Sequence, residues 1–500
     1  MATIDVTDPA REVLNQAPPL QPIDLFEADL ALREALEREG GGWGVDRAHE
    51  AGTAAGSVAA LEHGRRAERN EPILRTHDRY GARIDEVELD PSWHWLLRGA
   101  IERGLHGSPW REPRAGAHVV RATTFMLWSN ANAGVMCPVS MTYAVVPALR
   151  QSAPEIAAEW EPRLTRPDYA QGALAGMAMT ERQGGSDVRA NITRAEPVGE
   201  GVYELHGHKW FCSYPPCDVF LVLAQAPAGL SCFFAPRGPG MEFQRLKDKL
   251  GTRSLPSSEV EFRGARASLV GEEGRGINAI IRMVNHTRLD CLIGSASAIR
   301  RATVEALHHA RYRCAFGAPL VEQPAMRNVL ADLAIESEAA TAAALRVARS
   351  YDGVTGSPEP AFQRFATAVM KYWVCKRAPG VAGEALECLG GNGYVEDSGM
   401  PLLYRDAPLN SIWEGSGNVA ALDVLRAIAS EPDGLPAFLA ECELAAGADR
   451  RLDAHIVRAR KQTIGQRPHD AEFTARRVVE DLALALQGSL LVRHAPAAVA

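Results

Sequence analysis

Met177-Ala-Met-Thr-Glu-Arg-Gln-Gly-Gly-Ser-Asp187 is the stretch on which the reading of this chain turns. An apolar run from Gly172 to Met179 breaks there into hydroxyl, carboxylate and glycine. Two adjacent glycines let backbone pass close to a ligand and free several N–H groups to point one way. Thr180 and Ser186 add side-chain donors on either side of the turn. Such a loop suits a pyrophosphate or the carbonyl-rich edge of a flavin. Taken alone, it reads equally well as a polar turn, so the surrounding chain has to decide.

Downstream of this loop the hydrophobic period is that of strands. Tyr203-Glu-Leu-His alternates, and Gly207 then turns the chain; Val219-Phe-Leu-Val-Leu-Ala and Leu230-Ser-Cys-Phe-Phe-Ala are short apolar runs; Ser258-Glu-Val-Glu-Phe alternates again. This spacing predicts an antiparallel barrel or sandwich over 173–270. No Gly-x-Gly-x-x-Gly follows a strand, which argues against a Rossmann dinucleotide fold. Upstream the text is helical. Leu25, Leu30, Leu32 and Leu36 recur near helical spacing until Gly40-Gly41-Gly42, loops fall at Gly64 and near Gly116, and Phe125–Leu149 is a long apolar helical region interrupted at Cys137-Pro138. An extended arm, Asn15-Gln-Ala-Pro-Pro-Leu20, precedes it, too proline-rich for helix. After Gly271-Glu-Glu-Gly-Arg-Gly276, helices are expected over 277–309, 323–351, 360–389 and 420–429. The expected class is α+β. It comprises a helical domain with its arm (1–172), a β-barrel (173–270), a helical bundle (271–430) and an extra helical tail (431–500).

Composition bounds the function. At 46% hydrophobic, 23% charged and a formal charge of −8, the chain is an ordinary globular protein whose overall surface is ill suited to nucleic acid. No run approaches the ~20 apolar residues that span a bilayer. The opening residues Met1-Ala-Thr-Ile-Asp-Val-Thr-Asp8 are polar and unlike a signal peptide. Nine scattered cysteines without a Cys-x-x-Cys pair predict reduced, mostly buried thiols and a cytoplasmic location. No metal site is expected, since His308-His309 has no further ligand at the right spacing.

The eleven-residue stretch resembles the flavin-binding signature of the acyl-CoA dehydrogenases, Met/Thr-Glu-Pro-x-Ala-Gly-Ser-Asp, with Arg182 where proline is usual. The Gln-Gly-Gly-Ser-Asp form is similar to that of one branch of the family, the alkylation-response AidB-like proteins. The resemblance covers essentially the whole chain, and the early arm and the helices beyond about 430 resemble that branch in particular. It implies FAD as cofactor, held by Met177, Met179, Thr180, Gly185 and Ser186.

Further clusters carry the same resemblance. Asn410-Ser-Ile-Trp-Glu-Gly-Ser-Gly-Asn418 matches the family's Ile-Trp/Tyr-Glu-Gly-Ser/Thr pattern, which makes Glu414 the base that removes the α-proton of an acyl thioester. Trp413, Gly415, Ser416 and Asn418 then approach the flavin. On residue chemistry alone, a glutamate beside a tryptophan is a candidate base with a raised pKa, or a helix N-terminal acid. Some relatives carry the base on the first bundle helix; that position falls here at Thr287, with Asp290 one turn displaced and read as the partner of a basic side chain or as a solvated residue. In Gly207-His-Lys-Trp-Phe-Cys-Ser213, Phe211 and Ser213 take the flavin-facing places, with barrel packing the competing reading for Phe211 and Trp210. Arg313, Phe316 and Gln323 match a pattern that reaches the FAD of a neighbouring subunit, which implies a homotetramer built as a dimer of dimers. Glu387 replaces a glutamine in a second such pattern. Lys247-Asp-Lys-Leu-Gly-Thr-Arg253 matches a recurrent β-domain stretch and reads as a rim turn or a ligand contact.

The expected reaction is therefore FAD-dependent α,β-dehydrogenation of an acyl-CoA. The alternative, implied by the AidB-like branch, is a flavoprotein that binds duplex DNA in alkylation defence with little acyl-CoA turnover. Its footing in the residues is a basic tail: Arg450, Arg451, Arg458, Arg460, Lys461, Arg467, Arg476, Arg477 and Arg493 face five acids over 450–500, a net of +4.

Overall fold

The Leu30/Leu32/Leu36 pattern winds into helix α1 (Leu30–Arg38), whose first turn is capped by the Asp29 carboxylate accepting the Leu32 N–H. The computed structural model describes residues 14–352, 359–464 and 468–500; the opening residues 1–8 and Arg467 lie outside the described residues. Helices α2 (Val45–Ala55), α3 (Val58–Arg69), α4 (Pro91–Glu102), α5 (Ser108–Arg111), α6 (Ala117–Ser129), α7 (Met136–Ser152) and α8 (Pro154–Leu164) complete the first helical unit.

Three local expectations fail here. Gly64 is not a loop but lies within α3, where a Cβ would meet the Ala131 carbonyl oxygen at 2.1 Å, so the glycine serves close packing. The apolar region breaks over residues 130–135, while Cys137-Pro138 sit in the first turn of α7, where proline costs no hydrogen bond. A hairpin, β1 (Ile73–His77) with β2 (Arg83–Glu88), interrupts the helical unit. Its exposed, charged text, held by pairs such as Arg75–Glu88, gave no strand signal.

The middle of the chain forms seven strands: β3 (Ala175–Ala178), β4 (Arg194–Gly199), β5 (Val202–Ser213), β6 (Val219–Ala226), β7 (Gly229–Pro236), β8 (Met241–Leu246) and β9 (Ser257–Val270). The sheet closes on itself: β6 meets β4 and β7, β4 meets β5, β5 meets β9, and β9 meets β7. It is not purely antiparallel as expected, because β3 runs parallel to β6, as does the single β4–β6 bridge. Gly207 does not turn the chain either. β5 continues through it at φ +147°, and a Cβ there would press on the Thr193 Cα at 2.6 Å. β6 and β7 are buried almost throughout, so they read as continuous apolar runs rather than alternating ones.

The bundle is organised on α9 (Gly276–Tyr312), a helix of 37 residues that packs against α7, α10 (Pro324–Arg349) and α11 (Pro360–Cys388). A short hairpin, β10 (Cys314–Ala315) with β11 (Ala318–Pro319), follows α9. α12 (Met400–Asp406) and α13 (Gly417–Ser430) flank the second motif. The tail helices α14 (Gly434–Glu443), α15 (Arg450–Ile464) and α16 (Pro468–His494) pack back onto the bundle. The Trp373 indole donates to Gln487 at 2.8 Å, and Arg346 and Arg493 converge on Glu441 at 2.6 and 2.7 Å. All nine cysteines are free thiols, and only Cys314 is exposed. Among the described residues no helix is long and apolar enough to cross a membrane.

Candidate functional site

A cavity of about 650 Å³ opens between the sheet, α6–α7 and α9, and the two motifs meet in it. Met177 leaves β3 into the cavity while Ala175, Gly176 and Ala178 face the protein interior. Past the strand end, Met179, Thr180, Gly185 and Ser186 also line it. So do Phe211 and Ser213 at the end of β5, and Trp413, Glu414, Gly415 and Ser416 from the loop before α13.

What fixes the first loop is a group the sequence reading passed over. Glu181 and Lys209 form an ion pair of 2.7 Å with both side chains fully buried. Glu181 also accepts from the Ile192 N–H, the Gln183 amide and the Thr193 N–H. Lys209 further donates to the Leu223 and Met179 carbonyls. Burial would raise the Glu181 pKa, but Lys209 and these donors hold it at about 2. Burial pulls Lys209 down to about 8, so both groups are ionised at neutral pH. The alternating strand text from Tyr203 placed Lys209 facing inward, which was the available signal. Trp210, in contrast, lies off the cavity under the Lys247 ammonium, 3.1 Å from the ring centroid.

The second loop is held with equal care. Glu414 has φ +57°, a left-handed conformation unusual for a non-glycine residue, and Gly415 follows at φ +100°. Three successive carbonyls are gripped by two buried cations. Lys371 donates to the Trp413 and Gly415 oxygens at 2.8 and 2.5 Å, and Arg288 donates to the Glu414 oxygen at 2.9 Å. Arg288 is anchored in turn by Asp423 at 2.7 Å. The Glu414 carboxylate accepts a hydrogen bond from Thr287 at 2.7 Å. Desolvation raises its pKa above the usual carboxylate value, against the lowering effects of Thr287, Lys371 and Arg288. Thr287 is thus a partner of the carboxylate. Asp290 is locked by Arg121 through both oxygens, one contact at 2.8 Å, with both side chains buried.

Several predicted residues do not join this constellation. Asn418 is exposed on the first turn of α13, outside the cavity lining. Arg313, Phe316 and Gln323 cluster at the β10–β11 hairpin. From Thr287 to the end of α9 at Tyr312 the helix rises roughly 38 Å, so they lie far from Glu414 of the same chain. Phe316 is 98% exposed at φ +53°. The N-terminal arm is strapped across this hairpin: Asn15 accepts from the Cys314 N–H and from Arg313 at 2.6 and 2.7 Å, and the Pro18 carbonyl accepts from His308. Glu387 is exposed. From the 247–253 stretch, Lys249 and Thr252 line the cavity.

The cavity suits a flavin dinucleotide. Its walls combine apolar side chains with the Thr180, Ser186 and Ser416 hydroxyls, which have no partner among the described residues. Gly185 packs so close to Thr180 that a Cβ would lie 2.5 Å from its hydroxyl, so the backbone, not a side chain, presents itself there.

A closed sheet between two helical units, with a clamped glutamate facing a hydroxyl-lined cavity, is the architecture of acyl-CoA dehydrogenases. Butyryl-CoA dehydrogenase from Megasphaera elsdenii shares this fold, with a TM-score of 0.63 at 21% identity over 80% of this chain and 98% of that one. Family models match in succession: the adaptive response protein AidB N-terminal domain over residues 15–171, the acyl-CoA dehydrogenase middle domain over 176–265 and its C-terminal domain over 274–429. AidB of Escherichia coli (strain K12), itself a provisional acyl-CoA dehydrogenase, is 42% identical over 97% of this chain and 92% of its own length. The structure of Caenorhabditis elegans ACDH-11 in complex with C11-CoA superposes with a TM-score of 0.90 at 28% identity, covering 97% of this chain and 90% of that one. The chain belongs to the acyl-CoA dehydrogenase family, in its AidB-like branch.

Proposed function

We propose that the protein is an FAD-dependent dehydrogenase that removes the α and β hydrogens of an acyl-CoA thioester, with Glu414 as the base. The observation that carries this reading is the Glu414 loop. A carboxylate with raised pKa is held on strained backbone by Arg288 and Lys371, facing the cavity that Thr180, Ser186 and Ser213 also line. The C11-CoA held by the C. elegans relative supports a thioester as the ligand.

The chemistry follows from what these residues offer. FAD, when bound, supplies the acceptor that takes the β-hydrogen as hydride. Glu414 takes the α-proton, and its elevated pKa brings it nearer the operating pH, where a general base works best. The Glu414 N–H has no acceptor among the described residues, so it is available to the thioester oxygen as negative charge develops there. Thr287 orients the carboxylate, and Arg288 and Lys371 keep base and N–H aimed together. Met177, Met179, Thr180, Gly185, Ser186, Phe211, Ser213, Trp413, Gly415 and Ser416 would contact the cofactor.

Arg313, Phe316 and Gln323 would reach the FAD of a second copy, in a homotetramer built as a dimer of dimers; their distance from Glu414 of their own chain supports this assignment. Eight buried free thiols fit a cytoplasmic protein. Anaerobic absorption spectra of the purified holoprotein against a panel of acyl-CoAs test the reading directly. Flavin bleaching by some member is expected, and no bleaching by any would overturn it.

Duplex DNA binding remains a second reading. Arg450, Lys461 and Arg477 are exposed without a partner among the described residues, whereas Arg460, Arg451 and Arg493 are engaged by Glu443, Asp449 and Glu441.

A further inference from the structure

One face of α9 runs the length of the cavity, and its chemistry changes along the way. Thr287, bonded to Glu414, marks the reacting centre. On the N-terminal side the lining is Ile277, Ile280, Ile281 and Val284. On the C-terminal side it passes Cys291, Gly294 and Ala298 and ends at Arg301, fourteen residues beyond Thr287 and so roughly four helical turns away.

That far end is polar. Arg301 donates to the Asn130 carbonyl at 2.8 Å, and the Asn130 amide donates to Ser297 at 3.2 Å. These three residues also line a small chamber of about 50 Å³ behind the cavity, roofed by Leu20–Leu25 of the N-terminal arm. They form the partition between the two spaces.

Two cations at this end have no carboxylate at ion-pair distance among the described residues, although acids lie nearby. Three arginine or lysine side chains besides Arg301 line the cavity. Arg288 and Arg426 share Asp423, and Arg253 lies outside the lining; Lys249, on the sheet side, donates to the Leu255 carbonyl and the Ser257 hydroxyl.

 The cations lining the cavity are therefore Lys249, Arg288, Arg301 and Arg426, and of these Lys249 and Arg301 have no carboxylate at ion-pair distance among the described residues. Thr252 adds a buried hydroxyl without a partner among the described residues. Four acids stand near, Glu68, Glu71, Asp406 and Glu305, and Glu71 is paired with Arg253. Glu68 is satisfied by Ser254, Asn132 and the Arg253 N–H, and Asp406 accepts the Thr252 N–H at 2.6 Å. Burial, with Glu68 close by, raises the Asp406 pKa above the usual carboxylate value, against the lowering effects of the Thr252 N–H, Arg405 and Arg301. Glu305, one turn beyond Arg301, lines the chamber behind the partition and not the cavity.

We propose that this end of the cavity is a subsite for a carboxylate, so that the preferred substrates are acyl thioesters whose chain carries a second carboxyl group at its far end. The thioester would sit at Glu414, the chain would follow α9, and the terminal carboxylate would meet Arg301. A chain ending in a methyl group would leave that guanidinium desolvated and unmatched. The proposal rests on the thioester-dehydrogenase reading above for the position of the thioester.

The test compares dodecanoyl-CoA with dodecanedioyl-CoA on the FAD-loaded protein. Binding is measured by calorimetry and flavin bleaching is recorded separately. A charge-assisted hydrogen bond predicts a preference of about tenfold to hundredfold for the dicarboxylic thioester. Arg301→Met should bring the ratio of the two affinities close to one, and Arg301→Lys should restore part of it. Equal or tighter binding of dodecanoyl-CoA by the wild type, or no binding of either thioester, overturns the proposal without any variant being needed. An unchanged ratio in an FAD-retaining Arg301→Met protein overturns it as well. The expected preference without bleaching would instead remove the dehydrogenase reading and leave the carboxylate subsite standing.

Discussion

Replacing Lys209 by methionine isolates the interaction that holds the Met177–Asp187 loop. The substitution keeps most of the side chain's volume and removes the charge. It leaves the Glu181 carboxylate buried, with the Ile192, Thr193 and Gln183 donors but no counter-ion. Breaking a buried pair in this way costs about 3–5 kcal/mol. The Met179 and Leu223 carbonyls also lose their shared donor, which falls within the same range. Because Met179 lies on the cavity wall, the loss should appear first as weaker FAD retention. Glu181→Gln combined with Lys209→Met removes both charges and should recover most of the stability. The pH dependence has a definite sign. The folded-state pKa of Glu181, about 2, lies below the ordinary 4.5, so its contribution is fully present above pH 4.5 and fades as pH falls towards 2. Without Lys209 burial goes less opposed, and acid sensitivity should begin at higher pH. Denaturant unfolding of the holoprotein, followed together by flavin release and circular dichroism, measures the cost. A loss below about 1 kcal/mol, or a double variant no more stable than Lys209→Met, would refute the assigned role of the pair.

Glu414→Gln should retain FAD yet abolish flavin bleaching by any thioester that bleaches the wild type; bleaching at the wild-type rate would place the base elsewhere. Thr287→Val removes a hydrogen bond that lowers the Glu414 pKa, so the acid limb of the bleaching rate, already above that of an ordinary carboxylate, should move to still higher pH. A limb that stays in place would separate Thr287 from the base. Light scattering on the FAD-loaded protein should give a tetramer, and Arg313→Ala should lower FAD affinity; a monomeric mass with FAD retained would contradict the shared cofactor site. Neutralising Arg458, Arg460 and Lys461 together should weaken duplex DNA binding and flatten its salt slope by roughly 0.9 per lost phosphate contact, without lowering flavin content. An unchanged slope with DNA still bound would move the DNA site off α15, and no binding at low salt would remove the DNA reading.

The sequence by itself determined the order of helical, sheet and helical units, the long bundle helices to within a few residues, and the short motifs around Thr180 and Glu414. These are local properties. Periodicity, glycine placement and motif spacing are written in neighbouring residues, so α9, α10 and α11 were legible nearly end to end. Exceptions arose where a distant partner outweighed the local signal. Gly64 reads as a breaker but is demanded by the Ala131 backbone crossing α3, and Gly207 reads as a turn but accommodates Thr193 beside a continuous strand.

Only the tertiary structure decided which charges meet. Lys209 lies 28 residues from Glu181, Lys371 reaches carbonyls more than 40 residues away, and Arg288 and Thr287 come to Glu414 from a helix more than 120 residues earlier in the chain. Asp290 reads locally as either a solvated acid or an ion-pair partner, and its buried pairing with Arg121 follows from the packing of α6 against α9. The same holds for the far end of the cavity, where Asn130, Thr252, Arg301 and Asp406 come from separate segments. The physical reason is that a buried charge is stabilised by partners a few ångströms away in space, and neither propensity nor spacing records which segments the fold will bring within that distance.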